Sequence, residues 1–318
     1  MDRRSFLSGL ALLLTGCVPR SSGLSIGSKN FTEQLVLGEL LAQSLARATS
    51  LPIERRFYLA GTYICHQALL AGRIDIYVEY TGTALVAILK EQPVSDHAAV
   101  FSKVKDLYAS RFGLEVLPSL GFDNTFAMVM RGTDARRLRL KTLSDAAAIS
   151  GQLRLGVGYE FIERPDGYKG LAAKYGFKFA EAPRVMDLGL LYRALQNNQV
   201  DIVAGSNTDG LIAALDLVVL EDDRHYFPPY DAVPIVRRET LERHPDVAAG
   251  LRRLSGQITA NDMRRMNYAV DGEKKDAAEV VRDFLARKQQ LATGLGVFDA
   301  SILPNSSGYL TREKPLGG

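Results

Sequence analysis

Signatures of catalysis are scarce in this 318-residue chain. It has no Gly-x-Ser-x-Gly elbow, no Walker loop and no His-Glu-x-x-His, which removes the common nucleophile, nucleotide and zinc-protease arrangements. Gly156-Val157-Gly158 follows an apolar strand, but Phe161 takes the third glycine position of a dinucleotide fingerprint. His66, His97, His225 and His244 are scattered without ligand spacing, and His66 lies on an apolar helix face as a core residue would. Glu221-Asp222-Asp223 with His225 reads as a solvated turn after a strand, so neither a metal nor a cofactor is expected. Cysteine is limited to Cys17 and Cys65, and Cys65, among Tyr63, Ile64, Ala68 and Leu69, reads as a buried thiol. Charge is nearly balanced and dispersed, 39 Lys+Arg against 36 Asp+Glu, which argues against a nucleic-acid surface. With 47% hydrophobic residues the chain can bury a large core and divide into two lobes.

A long apolar run is also missing. Phe6 to Leu14 is too short for a membrane span of about 20 residues. Preceded by Arg3 and Arg4 and followed by Leu14-Thr15-Gly16-Cys17, it resembles the lipobox of bacterial lipoproteins. The resemblance implies a signal peptide over residues 1–16, lipidation of Cys17, a tether over residues 17–23, and a chain anchored to a membrane facing the periplasm or cell exterior. Arg3-Arg4-Ser5-Phe6-Leu7 also resembles a twin-arginine signal, leaving the export route open. Loss of residues 1–16 takes the net charge from +3 to +2 and leaves Cys65 without a disulfide partner.

What the chain does have is a repeat. Ala68–Thr83 and Ala194–Asp209 echo each other at constant offset, with Ala68-Leu69 matching Ala194-Leu195 and Ile74-Asp75-Ile76 matching Val200-Asp201-Ile202. Each reads as a helix end, a tight turn and a short buried strand, the half-unit of an α/β sheet. Ligands of open α/β sheets bind beyond the carboxyl ends of strands, which sets Tyr80 and Ser206 at equivalent places on a shared cleft.

Further strands are expected at Leu24–Ile26, Phe126–Met130, Leu153–Val157, Leu217–Leu220 and Val233–Val236. Helices are expected from near Glu33, over Ala98–Phe112, Leu143–Ile149 and Tyr168–Tyr175, and from Thr240 almost to Gln290 with one break at His244-Pro245-Asp246. Gly27 to Thr32 reads as a polar turn in which Ser28, Asn30 or Thr32 could cap the first helix. Crossings between two sheets fall near residues 121–125 and 229–233. The expected organisation is lobe 1 over residues 24–122 plus 232–290, lobe 2 over 123–231, and a loosely docked tail over 291–318.

Cations and rings dominate the candidate site. Lys29 and Arg164 lie beside helix starts, where a carboxylate can be bound. Tyr80 follows a strand and Tyr230 a double proline, and such rings attract a cation through their quadrupole. Together they describe a pocket for a small zwitterion.

Five ordered motifs then resemble one family. Gly27-Ser28-Lys29-Asn30-Phe31-Thr32-Glu33-Gln34, Glu79-Tyr80-Thr81-Gly82-Thr83-Ala84-Leu85, Glu160-Phe161 with Arg164-Pro165-Asp166-Gly167, Thr208-Asp209-Gly210 and Pro228-Pro229-Tyr230-Asp231-Ala232 resemble the substrate-binding proteins of osmoprotectant ABC importers for glycine betaine, carnitine and choline. The resemblance implies a type II periplasmic-binding-protein fold, two α/β lobes joined by two crossing strands with the ligand cleft between them. It also implies a monomer that performs no chemistry, with an ABC permease and its ATPase as partners. Family members enclose the trimethylammonium head in four tyrosines, and the matching positions are Tyr80, Phe126, Ser206 and Tyr230. Lys29, Thr83 and Arg164 match the polar contacts to the ligand's other end. Phe126 keeps a ring and Ser206 has none; at about 0.5–2 kcal/mol per cation–π contact, a missing wall weakens binding by up to an order of magnitude or more. Either Tyr159 or another aromatic fills the gap, or the ligand is larger, such as an aromatic betaine. An amino acid or polyamine ligand, and an enzyme on the same fold, are the alternatives.

Overall fold

The computed structural model describes residues 23–292. The expectations for the signal segment, Cys17, the tether up to residue 22 and the tail from residue 293 lie outside the described residues. Among these, the residues up to Val281 form one compact unit, and the end of the helix Ala277–Ala292, from Arg282, belongs to a second.

Among the described residues ten strands run in chain order as β1 (Leu24–Lys29), β2 (Ile53–Ala60), β3 (Ile76–Tyr80), β4 (Leu114–Val116), β5 (Phe126–Arg131), β6 (Leu155–Val157), β7 (Arg184–Val185), β8 (Ile202–Ser206), β9 (Leu217–Val219) and β10 (Ala232–Arg237). They build two sheets of identical plan, β2-β1-β3-β10-β4 and β7-β6-β8-β5-β9. In the first, β1 runs parallel to β2 and β3 while β10 runs antiparallel to β3 and β4. In the second, β6 runs parallel to β7 and β8 while β5 runs antiparallel to β8 and β9. β10 therefore returns late in the chain to the sheet whose other strands lie within residues 24–116.

The sequence echo is a structural repeat down to single hydrogen bonds. After the helix Thr62–Leu70, the amides of Arg73 and Ile74 both donate to the Ala68 carbonyl; after the helix Leu191–Gln196, Gln199 and Val200 do the same to Ala194. The turn needs a left-handed residue, supplied by Gly72 at φ 62° and by Asn198 at φ 53°, the two residue types best suited to it. Each turn then presents an aspartate to the neighbouring strand: Asp75 accepts from the Ser25 amide and Asp201 from the Arg154 amide, each at 2.9 Å.

Both faces of the second sheet are apolar, as covered parallel-type sheets require. Period-two alternation along β5 sends Met128 and Met130 into one core with Leu155, Val157 and Leu171, and Ala127 and Val129 into another with Leu191, Leu195 and Val203. Beside the first sheet, Cys65, Leu69, Tyr77, Leu85, Val104 and Tyr108 pack together.

Several local expectations need correction. Gly27–Lys29 is not a turn but the end of β1, since backbone pairing with β2 continues to Lys29↔Ala60. The following helix spans Thr32–Ala48 with Phe31 at its N-cap and no side-chain cap; the Thr32 hydroxyl instead donates to Asp271 at 2.7 Å. The helix expected over Leu143–Ile149 spans Leu143–Ala148 and is capped by Thr142 in a capping box with Asp145. Beyond β10 the described residues form four helices, Arg238–Arg243, Pro245–Arg252, Ala260–Asp271 and Ala277–Ala292, because Thr259 caps a new start as well as Pro245. The two crossings touch: Asp123 bridges Asp231, the Asn124 amide donates to the Tyr230 carbonyl at 3.0 Å, and the Ala232 amide to Phe122 at 3.1 Å.

Candidate functional site

Tyr80 ends β3 and Ser206 ends β8, the same strand of the repeated plan. Antiparallel pairing sets Ala232 opposite Tyr80 and Phe126 opposite Ser206, so Tyr230, two residues before Ala232, leaves the sheet at the same end. The strand ends thus carry four of the seven candidate residues to one region.

One half of that region is aromatic and cationic. The Phe126 ring lies 5.0 Å from Phe161, 5.7 Å from Phe227 and 5.7 Å from Tyr230, centroid to centroid. The Arg164 guanidinium stands over two of these rings, 4.9 Å from Phe126 and 5.8 Å from Tyr230. It is buried and grips Asp166 through Nε at 2.9 Å and Nη2 at 2.5 Å, and the Tyr230 hydroxyl donates to the same carboxylate at 2.6 Å. Burial opposes the Arg164 charge, but Asp166 outweighs it and raises its pKa further.

The other half is polar. Glu33, in the first turn of the helix Thr32–Ala48, is buried and accepts four hydrogen bonds: Tyr80 hydroxyl at 2.7 Å, Thr208 hydroxyl at 2.5 Å, Asn267 amide at 3.0 Å, and the Asn124 side-chain amide. Burial pushes its pKa up against the pull of those donors. Burial likewise pushes the Tyr80 hydroxyl well above its ordinary value, with Glu33 adding to the rise. Ser206 joins this group, its hydroxyl bonded to Asn124 and 2.9 Å from Thr208. Its amide donates at 2.9 Å to Asp209, a carboxyl pushed up to about 7 by burial.

Lys29 and Arg164 are not the free cations that the sequence implied. Lys29 is buried with its Nζ 2.5 Å from Glu79 and 5.0 Å from the centre of the Tyr80 ring, while Glu79 also receives the Tyr77 hydroxyl and the Tyr80 amide. Thr83 is buried in the short helix Thr81–Thr83 that follows β3. Tyr159 is 69% exposed, and Phe161 and Phe227 pack against Phe126.

Glu33, Glu79, Asp166, Asn124, Thr208 and Asn267 were not singled out from the sequence. Four of them, Glu33, Glu79, Asp166 and Thr208, lie within the resembling motifs, but only the fold brings Asn124, Thr208 and Asn267, which are far apart in the chain, onto Glu33. The segments bearing the two sheets also meet at Glu160, whose Oε1 accepts from the Thr62 amide at 2.5 Å, the first residue of the helix Thr62–Leu70. Among the described residues, His97 Nδ1 and carboxylate oxygens of Asp123 and Asp231 lie within 4.8 Å of one another. Each has a protein partner: His97 pairs with Asp231 at 2.8 Å, and Asp123 accepts the Tyr230 amide at 2.5 Å.

The model of the substrate-binding domain of ABC-type glycine betaine transport systems matches residues 22–287. The chain is 35% identical over 285 residues to a carnitine transport binding protein of Listeria monocytogenes, covering 87% of this chain and 92% of that one. It is 32% identical over 302 residues to a glycine-betaine-binding protein of Pseudomonas aeruginosa, covering 92% and 96%. A crystal structure described as a glycine betaine/carnitine/choline ABC transporter superposes with a TM-score of 0.70 at 34% identity, over 84% of this chain and 98% of that one.

Proposed function

We propose, from the premise that the chain belongs to the family of substrate-binding domains of ABC-type glycine betaine transport systems, that it captures a small quaternary ammonium compound and delivers it to an ABC permease and its ATPase. The fold is the two-lobe binding-protein fold of that family, and the family is one of transport proteins rather than enzymes. In our reading residues 24–122 with 232–290 form one lobe, residues 123–231 the other, and the paired crossings at Asp123 and Asp231 the hinge. Tyr80, Phe126 and Tyr230 would face the methylated head, with Ser206 beside them. Lys29, Thr83 and Arg164 would set the polar end. Export, lipidation at Cys17 and a monomeric state complete the proposal.

The observation that supports it is the convergence of Tyr80, Phe126, Ser206 and Tyr230 at one end of two equivalent sheets, with two buried cations among them. Titration calorimetry with glycine betaine, choline and carnitine tests it. Heat of binding with at least one is expected, weakened about tenfold or more by Tyr230→Ala, since a desolvated ring contact with a cation contributes about 2 kcal/mol. Silence with all three ligands would remove the ligand class.

A further inference from the structure

The antiparallel bridge between the two crossings sets Asp123 directly opposite Asp231. Residues opposite each other in such a bridge point to the same face, where two like charges repel. Backbone contacts hold both members there. Asp123 accepts the Tyr230 amide at 2.5 Å, while the Asp231 amide donates to the Thr81 hydroxyl and its carbonyl accepts the Thr81 amide, each at 3.0 Å. Among the described residues the pair's basic partner is a histidine, not a lysine or arginine: His97 Nδ1 lies 2.8 Å from Asp231 Oδ2. His97 belongs to a third segment. It opens the helix His97–Phe112, whose start is fixed by the Asp96 side chain accepting the Ala99 amide at 2.7 Å, and its side chain is 60% exposed.

We propose that His97, Asp123 and Asp231 form a binding site for a divalent transition metal of the zinc class, which fastens the two crossings to the start of the helix His97–Phe112. One imidazole nitrogen and one oxygen from each aspartate already lie within 4.8 Å of one another. Around an ion with bonds of about 2.0–2.2 Å, tetrahedral donors stand about 3.4 Å apart. Small side-chain rotations, the exposed His97 ring first, close the trio to that spacing. Three protein ligands leave a fourth position for water.

Charge and donor type select the ion. Two carboxylates with a neutral imidazole carry two negative charges, which a dication neutralises, so the ion removes the repulsion that the bridge imposes. Imidazole suits zinc and its neighbours, whereas calcium takes about six to eight oxygens and magnesium prefers an octahedron of oxygen. The site adjoins the proposed ligand cage and shares no residue with it: Asp231 follows Tyr230, and Asp123 holds the Tyr230 amide. Positions 97, 123 and 231 have no ligand spacing along the chain, and they meet only because the crossings pair beside that helix.

Zinc chloride is the probe, titrated calorimetrically near neutral pH into the untagged full chain after chelator treatment. One equivalent is expected to bind. His97→Ala should weaken it about tenfold or more, since even the outer partners of metal ligands contribute about 10–100-fold, while His244→Ala leaves it unchanged. Zinc should also raise the melting midpoint of the unmodified chain and not that of His97→Ala, because an ion bound only to the folded state stabilises it by mass action. Cobalt loaded into the unmodified chain should show the intense visible bands of a low-coordinate site, a readout that needs no variant. No zinc binding, binding that survives His97→Ala, displacement of zinc by equimolar calcium, or the pale spectrum of octahedral cobalt would each overturn the proposal. Quaternary ammonium ligands are left out of these titrations, so a failure here leaves the transport reading standing.

Discussion

Burial decides what a titratable side chain does here, and two neighbours in the helix Thr62–Leu70 make the point. Burial pushes the Cys65 thiol up to about 12, so it is not a nucleophile at neutral pH. The native protein is expected to leave Cys65 unmodified by a chromogenic disulfide reagent until denaturant is added. His66 is buried edge-on against Tyr108 at 5.6 Å and Phe112 at 4.8 Å, with no hydrogen-bond partner for Nδ1, so it is a core residue but not a satisfied one. Burial drops its pKa to about 4. The folded state therefore binds fewer protons than the unfolded one between about pH 6.5 and 4, and stability falls as pH falls through that window. His66→Leu should flatten denaturation midpoints between pH 6.5 and 4; an unchanged slope would contradict the assignment.

At the level of elements, the repeated turn carries its own stabilising acid. Asp201 accepts from the Arg154 amide and guanidinium and from Arg131 Nη2. Burial alone would raise its pKa, yet those donors bring it down to about 2. Its contribution is present above about pH 4 and lost as pH falls towards 2. Asp201→Asn should cost about 2 kcal/mol at pH 7 and shrink the loss of stability between pH 4 and 2, measured by urea unfolding. The short helix Thr81–Thr83 after β3 is packed against the crossing at Tyr230. A Cβ on Gly82 would lie 2.6 Å from the Pro229 carbonyl and 2.8 Å from the Tyr230 ring, a contact with backbone that cannot yield cheaply. Gly82→Ala should destabilise by about 1–3 kcal/mol and weaken ligand binding by displacing Tyr230, seen together in thermal melts and calorimetry. Legibility was uneven at this scale. The helix Tyr168–Tyr175 was read to the residue from its Pro-Asp-Gly entry. Lys29 was misplaced because the polar run Ser28–Asn30 looks like a turn, while its first two residues end a strand paired to β2.

For the whole molecule, the contacts that matter join segments of the two sheets. Glu160 supplies a carboxylate to the N-terminus of the helix Thr62–Leu70, where unpaired amides and the helix dipole favour negative charge. Glu33 bonds Thr208 from the far side of the chain. If the lobes close on ligand as proposed, Glu160→Ala should speed ligand release several-fold with little change in association rate, measured by stopped flow. A slower association at unchanged release would place its role elsewhere.

The sequence by itself determined the α/β class, the duplicated half-unit and the motif set that marks the family, because turns, strand ends and apolar alternation are local and repeat at a fixed offset. The echo also placed Tyr80 and Ser206 at equivalent strand ends and the double proline pointed to Tyr230, while Phe126 entered through the family resemblance; all four end up at one end of the sheets. Only the tertiary structure decided that Lys29 and Arg164 already have carboxylate partners, and that Asn124, Thr208 and Asn267 gather on Glu33. Charge compensation in a buried site is set by which side chains meet across hundreds of residues, and no periodicity along the chain records that meeting.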